Sequence, residues 1–255
     1  MYIVGITGLA GSGKDTLAKR LKNHYDSNLS DKCQILHFAD RLKELCADLV
    51  GWDMVLDSQR NEELYTDIFG SGVNSSGVMK YQRKHLHDSF KRNLGDICTT
   101  TELFKMLDRF YEVIVKPFSK GNKDCRVFIT PRKLWQLVGT EVCRSVRDSV
   151  WIDAFKVDAN QYIGKCSFLF VPDVRFDNEA AICDIVIGIE REDKTKLRNA
   201  GNHVSESGVS RVDFSVLNRE GKLAEAVAEV VKTMPNLMAW ASSSSQHQRV
   251  INQLC

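Results

Sequence analysis

Residues 8–16 read Gly8-Leu9-Ala10-Gly11-Ser12-Gly13-Lys14-Asp15-Thr16, and they stand between an apolar run and a periodic, helix-like segment. In a P-loop this order places backbone N–H groups and a helix N-terminus around a phosphate, which the lysine also reaches. A dinucleotide-binding turn would need a third glycine at position 16, which is threonine. The stretch therefore predicts a nucleotide phosphate site made by Gly8, Gly11, Ser12, Gly13, Lys14, Asp15 and Thr16.

The residue after the P-loop lysine is unusual. A serine or threonine hydroxyl normally follows the lysine and binds Mg²⁺, whereas here Asp15 follows and Thr16 is displaced by one position. An aspartate can contact the ion directly or hold it through a water. The sequence therefore predicts Mg²⁺ with Asp15 as a ligand, and it leaves direct and water-mediated contact open.

Five short apolar runs read as buried strands, and helical patterns lie between most of them. Strands that alternate with helices indicate a parallel sheet covered on both faces. We therefore expect an α/β P-loop NTPase fold with a five-stranded parallel sheet, a helical insertion and a lid. The five runs are residues 2–7, 34–38, 167–171, 184–190 and 213–217.

The helix and strand alternation is interrupted once, over residues 53–122, which are polar and mostly helical in pattern. We expect this segment to be an insertion or acceptor-side subdomain, although the pattern of residues 111–129 fits either a hairpin or a helix end. The predicted kinase core is 1–52 with 123–238, the predicted lid-like loop is 192–211, and 239–255 is a polar tail.

Composition limits the class of protein. The net charge of +2, from 35 basic and 33 acidic residues, provides no strong field for nucleic acid or an anionic membrane. The eight cysteines lack any CxxC pair, so neither a zinc site nor a disulfide framework is indicated. No basic leader opens the chain, and no apolar run reaches the ~20 residues of a membrane helix. We therefore expect a cytoplasmic protein with no nucleic-acid or membrane partner.

A second acidic group follows the third apolar run. Asp173 stands just beyond that predicted strand, where ligands of parallel sheets gather, and it could position Mg²⁺ or its water. Arg175 could bind a phosphate through its planar guanidinium group. The alternative is a helix N-terminus that carries Asp173, Asp177 and Glu179 because acidic residues favour that end of a helix.

A third candidate segment begins at Thr130-Pro131, a pair that predicts a helix start. Arg132, Gln136 and Thr140 recur every four residues on one face, and Leu134, Val138 and Val142 recur on another. The polar face could bind an acceptor phosphate and a base or sugar, with close approach at Gly139, or it could be simply solvated. Trp151 could stack on the acceptor or belong to the core, and Asp153 could hydrogen-bond the acceptor.

The assembled segments resemble the bacteriophage deoxynucleoside monophosphate kinases and, more distantly, the animal-type phosphomevalonate kinases. The matching segments run in family order: GLAGSGKDT (8–16), FADRLKE (38–44), PRKLWQLVGTEVCR (131–144), WIDAF (151–155), VPDVRFDNEA (171–180), HVSESGVS (203–210) and VDFSVLNREGKLAE (212–225). The phage family also carries aspartate after the P-loop lysine.

The resemblance implies a nucleoside-monophosphate-kinase-like fold and assigns roles to particular residues. Asp173, Arg175 and Glu179 would form the second catalytic cluster. Arg191 would precede a mobile lid with Arg198, His203 and Glu206, and Asn218 would lie at the adenine of ATP. The implied acceptor-side residues are Arg132, Lys133, Gln136, Gly139, Thr140, Trp151 and Asp153, and the implied metal residues are Asp15 and Asp173.

The expected reaction is transfer of the γ-phosphoryl group of ATP, with Mg²⁺, to a deoxynucleoside monophosphate, and the host cytoplasm would be its place if the protein is phage-encoded. One alternative is another small phosphorylated acceptor such as phosphomevalonate. A second is a P-loop switch or motor, although the segment Asn122-Lys123-Asp124-Cys125 lacks the final aspartate of the guanine-reading motif. Whether the chain forms a homodimer stays open.

Overall fold

The computed structural model of the protein describes residues 1–28, 32–50, 64–67, 75–118, 126–193, 209–243 and 249–250. The chain divides into two compact units, of which the first is Met1–Phe38 with Phe155–Cys255 and the second is Ala39–Ala154. The second unit includes more residues than the predicted insertion at 53–122 and extends beyond it at both ends of the sequence range.

The strands and helices follow in chain order. The strands are β1 (Tyr2–Thr7), β2 (Cys33–Ile35), β3 (Leu64–Asp67), β4 (Arg126–Ile129), β5 (Phe168–Val171), β6 (Ile185–Arg191) and β7 (Phe214–Asn218). The helices are α1 (Lys14–Asn28), α2 (Asp40–Val50), α3 (Ser75–Leu94), α4 (Thr100–Phe110), α5 (Lys116–Phe118), α6 (Pro131–Gln136), α7 (Val150–Asn160), α8 (Asp177–Ala181) and α9 (Leu223–Ser243). Two segments, Tyr111–Val115 and Leu137–Arg144, are π-helical.

The first unit contains a five-stranded sheet with the order β2-β5-β1-β6-β7, and every neighbouring pair is parallel. The predicted five-stranded parallel sheet is therefore confirmed, with strand ends shifted by up to three residues. The largest shift is in β2, which ends at Ile35, although the N–H of Leu36 still bonds to Phe170 O. β1 lies in the middle of the sheet, so the loop that follows it emerges at the centre of the carboxyl edge.

The core of the first unit contains apolar side chains of α1, α9 and the sheet. Leu17, Leu21 and Tyr25 of α1 are buried at four-residue spacing, and Tyr25 packs on Phe168 with ring centroids 4.6 Å apart. Val230 of α9 is fully buried in the same cluster. Each such side chain contributes about 1.5–3 kcal/mol when it leaves water.

Two aspartates start the parallel pairing of the last two strands. Asp184, one residue before β6, accepts a hydrogen bond from Ile3 N (2.6 Å) and donates its own N–H to Ile3 O (2.8 Å). Asp213, one residue before β7, makes the same reciprocal pair with Val186 of β6 at 2.8 Å in each direction. Each carboxylate satisfies a main-chain donor that the ladder leaves without a carbonyl partner, so these residues fix where the two strands begin.

The second unit is mainly helical. Its core contains Phe90, Phe110 and Leu134, which are fully buried on different helices. α4 begins with a capping box, in which Thr99 Oγ1 accepts from Glu102 N (3.3 Å) and Glu102 Oε2 accepts from Thr99 N (2.8 Å). That N–H bond holds the pKa of Glu102 below its usual value.

Residues 111–129, for which the sequence left a hairpin and a helix end open, begin as a helix end. The π-helical turn and α5 extend α4 to Phe118, and β4 then pairs antiparallel with β3, Leu64 opposite Ile129. Within the described part of the chain, no helix is both long enough and apolar enough to cross a membrane.

The buried carboxylate at residue 184 generates a stability prediction. Asp184→Ala should lower the free energy of unfolding by about 2–3 kcal/mol, because the fully buried Ile3 N–H loses its acceptor. Chemical denaturation monitored by circular dichroism measures this. Glu190→Ala, at an exposed position of β6, is the matched control and should stay within about 0.5 kcal/mol of the parent. A loss of that small size in Asp184→Ala would contradict the role given to this carboxylate.

Candidate active site

In the loop between β1 and α1, Gly8, Gly11 and Gly13 have positive φ, and two of them also lie close against neighbouring atoms. Gly8 has φ +148° and Gly13 has φ +105°, in the region that L side chains rarely adopt. A Cβ at Gly8 would collide with the carbonyl oxygen of Ile189, and one at Gly13 would lie 2.7 Å from Asn218 Nδ2. These glycines let the loop lie directly against the ends of β6 and β7.

The predicted lysine lies across this loop. Lys14 Nζ donates to Gly8 O (2.7 Å) and to Leu9 O (2.9 Å), so the ammonium group is held over the loop at the N-terminus of α1. Within the described residues, the buried hydroxyl of Ser12 has no hydrogen-bond partner. A positive group, a helix N-terminus and an unsatisfied hydroxyl together fit an anion, and the phosphates of a nucleotide are anions of this kind.

Two residues that the resemblance placed near the nucleotide are fixed to the main chain of the same loop. Arg191 Nη1 donates to Gly11 O (2.9 Å), and Asn218 Nδ2 donates to Ser12 O (2.8 Å). The structure therefore brings Arg191 and Asn218 to the P-loop, and their observed contacts hold the loop in place.

Asp15, the residue that replaces the usual hydroxyl, lies beside a histidine that the sequence analysis did not identify. His37 Nε2 is 3.3 Å from Asp15 Oδ1. The hydrogen bond to His37, with the nearby positive charge of Lys14 as a smaller cause, holds the pKa of Asp15 below its usual value. The carboxylate is therefore ionised at neutral pH, as a metal ligand has to be.

Asp173 lies just beyond β5, as predicted, and it also accepts a hydrogen bond from the segment that follows β2. Its Oδ1 accepts the N–H of Phe38 at 3.0 Å. Two carboxylates at the carboxyl edge of one sheet are oxygen ligands of the type that Mg²⁺ prefers, so Asp15 and Asp173 fit the ion that the sequence predicts.

Glu179 differs from the other members of the predicted second cluster because it is buried. Its Oε2 accepts the N–H of Arg175 (2.8 Å) and the N–H of Phe176 (3.2 Å). The side chain of Arg175 is exposed. Glu179 thus shapes the turn that carries Asp173 and Arg175, whereas Arg175 is accessible to a ligand.

In the second unit, the helix predicted at Thr130-Pro131 begins there. Thr130 Oγ1 accepts the N–H of Lys133 (3.2 Å), and Pro131 occupies the first turn of α6. The apolar positions Leu134, Val138 and Val142 are fully buried. On the other face, Lys133 is exposed and Arg132, Gln136 and Thr140 are half-buried.

The four-residue spacing of the polar face does not describe the whole helix. From Leu137 to Arg144 the helix is π-helical, with Ser145 N bonded to Thr140 O five residues back. Each π-type turn holds more residues than an α-turn, so Thr140 is displaced from the line through Arg132 and Gln136. π-helical segments inside helices occur frequently at functional sites.

Gly139 and Trp151 contact the protein itself. A Cβ at Gly139 would lie 2.8 Å from Leu42 Cδ2, so the close approach at this glycine is made by Leu42. Trp151 is 4% exposed, and its Nε1 donates to Gly139 O at 3.0 Å. The sequence left open whether Trp151 stacks on the acceptor or belongs to the core, and in the structure it is a core residue.

Asp153 is the centre of an ion-pair network. Its Oδ2 accepts from Arg147 Nε (2.9 Å) and from Ser149 Oγ (2.7 Å). Arg147 also donates through Nη1 to Ile97 O (2.7 Å) and thereby connects Asp153 to the turn before α4. Arg147 was missed by sequence reasoning, since six residues separate it from Asp153 and no helical spacing predicts the pair.

A glycine-rich loop with a lysine at the centre of a five-stranded parallel sheet, with carboxylates at the same sheet edge, is the arrangement of a P-loop nucleotide-binding protein. The sequence profile described as deoxynucleotide monophosphate kinase matches residues 2–230, so the chain belongs to that family. It is similar to a deoxynucleoside-5'-monophosphate kinase of Escherichia phage T5, with 27% identity over 227 residues, which cover 81% of this chain and 84% of the relative. The predicted family is therefore confirmed, whereas the predicted lid residues Arg198, His203 and Glu206 lie outside the described residues.

The P-loop geometry generates a direct test. Lys14→Ala should abolish phosphoryl transfer, because the ammonium group over the loop is lost. The fold should be retained, because Lys14 Nζ bonds to carbonyls of its own loop. A coupled ADP-release assay and a thermal melt measure the two effects. Lys19→Ala, at an exposed position of α1, is the control and should keep full turnover. Turnover near that of the parent in Lys14→Ala would overturn the P-loop assignment.

Proposed function

We propose that this protein transfers the γ-phosphoryl group of ATP to the phosphate of a deoxynucleoside monophosphate, which yields a deoxynucleoside diphosphate and ADP. The observation that carries the proposal is the loop in which Lys14 lies over Gly8 and Leu9 at the N-terminus of α1. Family membership supplies the acceptor class, and the phage T5 relative is described as acting on deoxynucleoside 5'-monophosphates.

The donor phosphates would bind the P-loop. The backbone N–H groups of residues 8–13 and the N-terminus of α1 favour negative charge, and Ser12 offers an unsatisfied hydroxyl. Lys14 would leave its loop carbonyls and neutralise charge on the β- and γ-phosphates. Arg191 and Asn218 would keep the loop in its binding conformation through their bonds to Gly11 and Ser12.

The metal ion would be held by Asp15 and Asp173. When bound, Mg²⁺ supplies charge neutralisation at the phosphate oxygens of ATP. The lowered pKa of Asp15 keeps that carboxylate ionised. The N–H of Phe38 holds one oxygen of Asp173 and thereby limits how the carboxylate can turn.

The acceptor phosphate would be bound by arginines. Arg175 is exposed on the turn shaped by Glu179, and Arg132 is half-buried in the first turn of α6. A guanidinium group binds phosphate through two parallel hydrogen bonds, which orient the attacking oxygen as well as attract it. No general base is needed, because the acceptor phosphate is already ionised at neutral pH. Catalysis then rests on positioning and on charge neutralisation.

The roles of the remaining acceptor-side residues follow from their contacts. Lys133, Gln136 and Thr140 are accessible enough for a phosphate, sugar or base to meet them. The buried Trp151 and the ion-paired Asp153 would act by holding the segment from 139 to 153 in shape. The nearly balanced charge of the chain suits a small acceptor in the cytoplasm better than a nucleic acid.

An acceptor screen tests the proposed reaction. Purified enzyme with ATP and Mg²⁺ is assayed for ADP release against each deoxyribonucleoside and ribonucleoside monophosphate, with phosphomevalonate and no acceptor as further arms. We expect acceptor-dependent turnover with at least one deoxynucleoside monophosphate and a product that co-migrates with its diphosphate. Turnover with phosphomevalonate alone, or ADP release that no acceptor stimulates, would overturn the proposal.

The acceptor role of Arg132 makes a quantitative prediction. Arg132→Ala should lower kcat/KM for the acceptor by about 2–5 kcal/mol, roughly 30-fold to several thousand-fold, because a charge-assisted contact to the acceptor phosphate is lost. Arg132→Lys should recover little, since an ammonium group cannot replace the planar guanidinium group. Steady-state kinetics measure kcat/KM for the acceptor, and titration with a non-hydrolysable ATP analogue measures binding of the donor.

Arg83→Ala is the matched control for Arg132→Ala. Arg83 is an exposed arginine of the same unit, paired with Asp108 at 2.7 Å. Its loss should change neither kcat/KM for the acceptor nor binding of the ATP analogue. If Arg132→Ala weakens binding of the ATP analogue as much as use of the acceptor, Arg132 serves the donor, and its assignment to the acceptor is wrong.

A further inference from the structure

The connection that follows β2 contacts both carboxylates proposed for the metal. His37 Nε2 lies 3.3 Å from Asp15 Oδ1, and the N–H of the next residue, Phe38, bonds to Asp173 Oδ1 at 3.0 Å. Asp15 follows β1 through the P-loop, and Asp173 follows β5. His37 and Phe38 therefore contact two carboxylates that follow two other strands, β1 and β5.

The sheet order explains why this dipeptide reaches both carboxylates. β2 pairs in parallel with β5, and β5 pairs with β1, so the three carboxyl ends lie side by side. Leu36 N still bonds to Phe170 O, which keeps the chain next to β5 until one residue before His37. Main-chain pairing therefore holds the residue directly before His37 next to β5.

The chemistry of the contact defines its direction. An ionised carboxylate only accepts hydrogen bonds, so the imidazole donates its Nε2–H to Asp15. The side chain of Asp15 is 67% exposed and that of His37 is 26% exposed. An ion pair or hydrogen bond with so much water access contributes little to folding stability. Its consequence is instead orientation, since it restrains one oxygen of an exposed carboxylate in the first turn of α1.

We propose that His37 is a positioning residue that orients the Asp15 carboxylate toward the magnesium ion of the ATP complex. This inference rests on the proposed function, because it assumes that Asp15 serves the metal. Partners that hydrogen-bond to metal-binding groups typically change metal affinity by about 10- to 100-fold when removed. Metal affinity, measured separately from nucleotide affinity, is accordingly the property that His37 should control.

Two substitutions separate the hydrogen bond from the bulk of the side chain. His37→Leu keeps an apolar volume at the position and removes the donor. His37→Gln keeps a side-chain N–H that can reach an acceptor at similar length. His24→Gln is the matched control, since His24 is a histidine of α1 that packs edge-on against Tyr25, nine residues further along the chain than Asp15. Asp15→Ala is the reference for complete loss of the carboxylate.

The experiment measures binding of Mn²⁺, as a paramagnetic substitute for Mg²⁺, to each variant saturated with a non-hydrolysable ATP analogue. Electron paramagnetic resonance reports free Mn²⁺, and calorimetry in EDTA reports binding of the analogue without metal. For His37→Leu we expect Mn²⁺ affinity to fall about 10-fold while metal-free analogue binding stays within about twofold of the parent. His37→Gln should recover most of the loss, and His24→Gln should match the parent.

The outcomes distinguish this inference from the proposed function. If Asp15→Ala weakens Mn²⁺ binding and His37→Leu does not, His37 has no positioning role, and the function proposed for Asp15 stands. Equal weakening of metal-free analogue binding in His37→Leu, or a His37→Gln variant no better than His37→Leu, also overturns the inference, since either result indicates a purely structural role. If Asp15→Ala itself leaves Mn²⁺ affinity unchanged, the proposed metal site fails and the inference fails with it.

Discussion

The close approach of Gly8 to the carbonyl oxygen of Ile189 is the constraint on which the phosphate site depends. The loop can lie there only because a parallel sheet places β6 beside β1 and because residue 8 has no side chain. The same strand order delivers one polar group from the carboxyl end of every strand in this sheet. These groups are Lys14 after β1, His37 after β2, Asp173 after β5, Arg191 at the end of β6 and Asn218 at the end of β7.

The contacts of these groups show how such an edge is stabilised. Each has at least one hydrogen bond to the main chain or to another group of the edge: Arg191 and Asn218 to loop carbonyls, Asp173 to the N–H of Phe38, and His37 to Asp15. Because most of these partners are main-chain atoms, which move less than side chains do, the hydrogen bonds give this edge local rigidity. Phosphoryl transfer requires this rigidity, since positioning and charge neutralisation supply nearly all of its rate.

The sequence predicted what is encoded locally. The loop between β1 and α1, the start of α6 at Thr130-Pro131 and the five strands depend on neighbours within a few residues. The loop and the helix start lie where expected, and the strand ends differ by up to three residues. Contacts that join distant segments were not predictable. His37 and Asp15 are 22 residues apart, and no spacing rule pairs them. Likewise, the π-helical hydrogen bonds from Leu137 onward alter the face that a 3.6-residue period assigns to Thr140.

A family motif also does not distinguish residues that touch substrate from residues that hold the substrate site. Glu179, Trp151 and Asp153 all lie in segments that match the family. The observed contacts of these side chains are to main-chain N–H groups, to a carbonyl and to an arginine, respectively. Arg175 is exposed and Arg132 is half-buried, and both also lie in matching segments. Burial and partner type thus divide the matched residues into a supporting set and a set that is accessible to a ligand. A supporting residue acts on the reaction only through the geometry that it maintains.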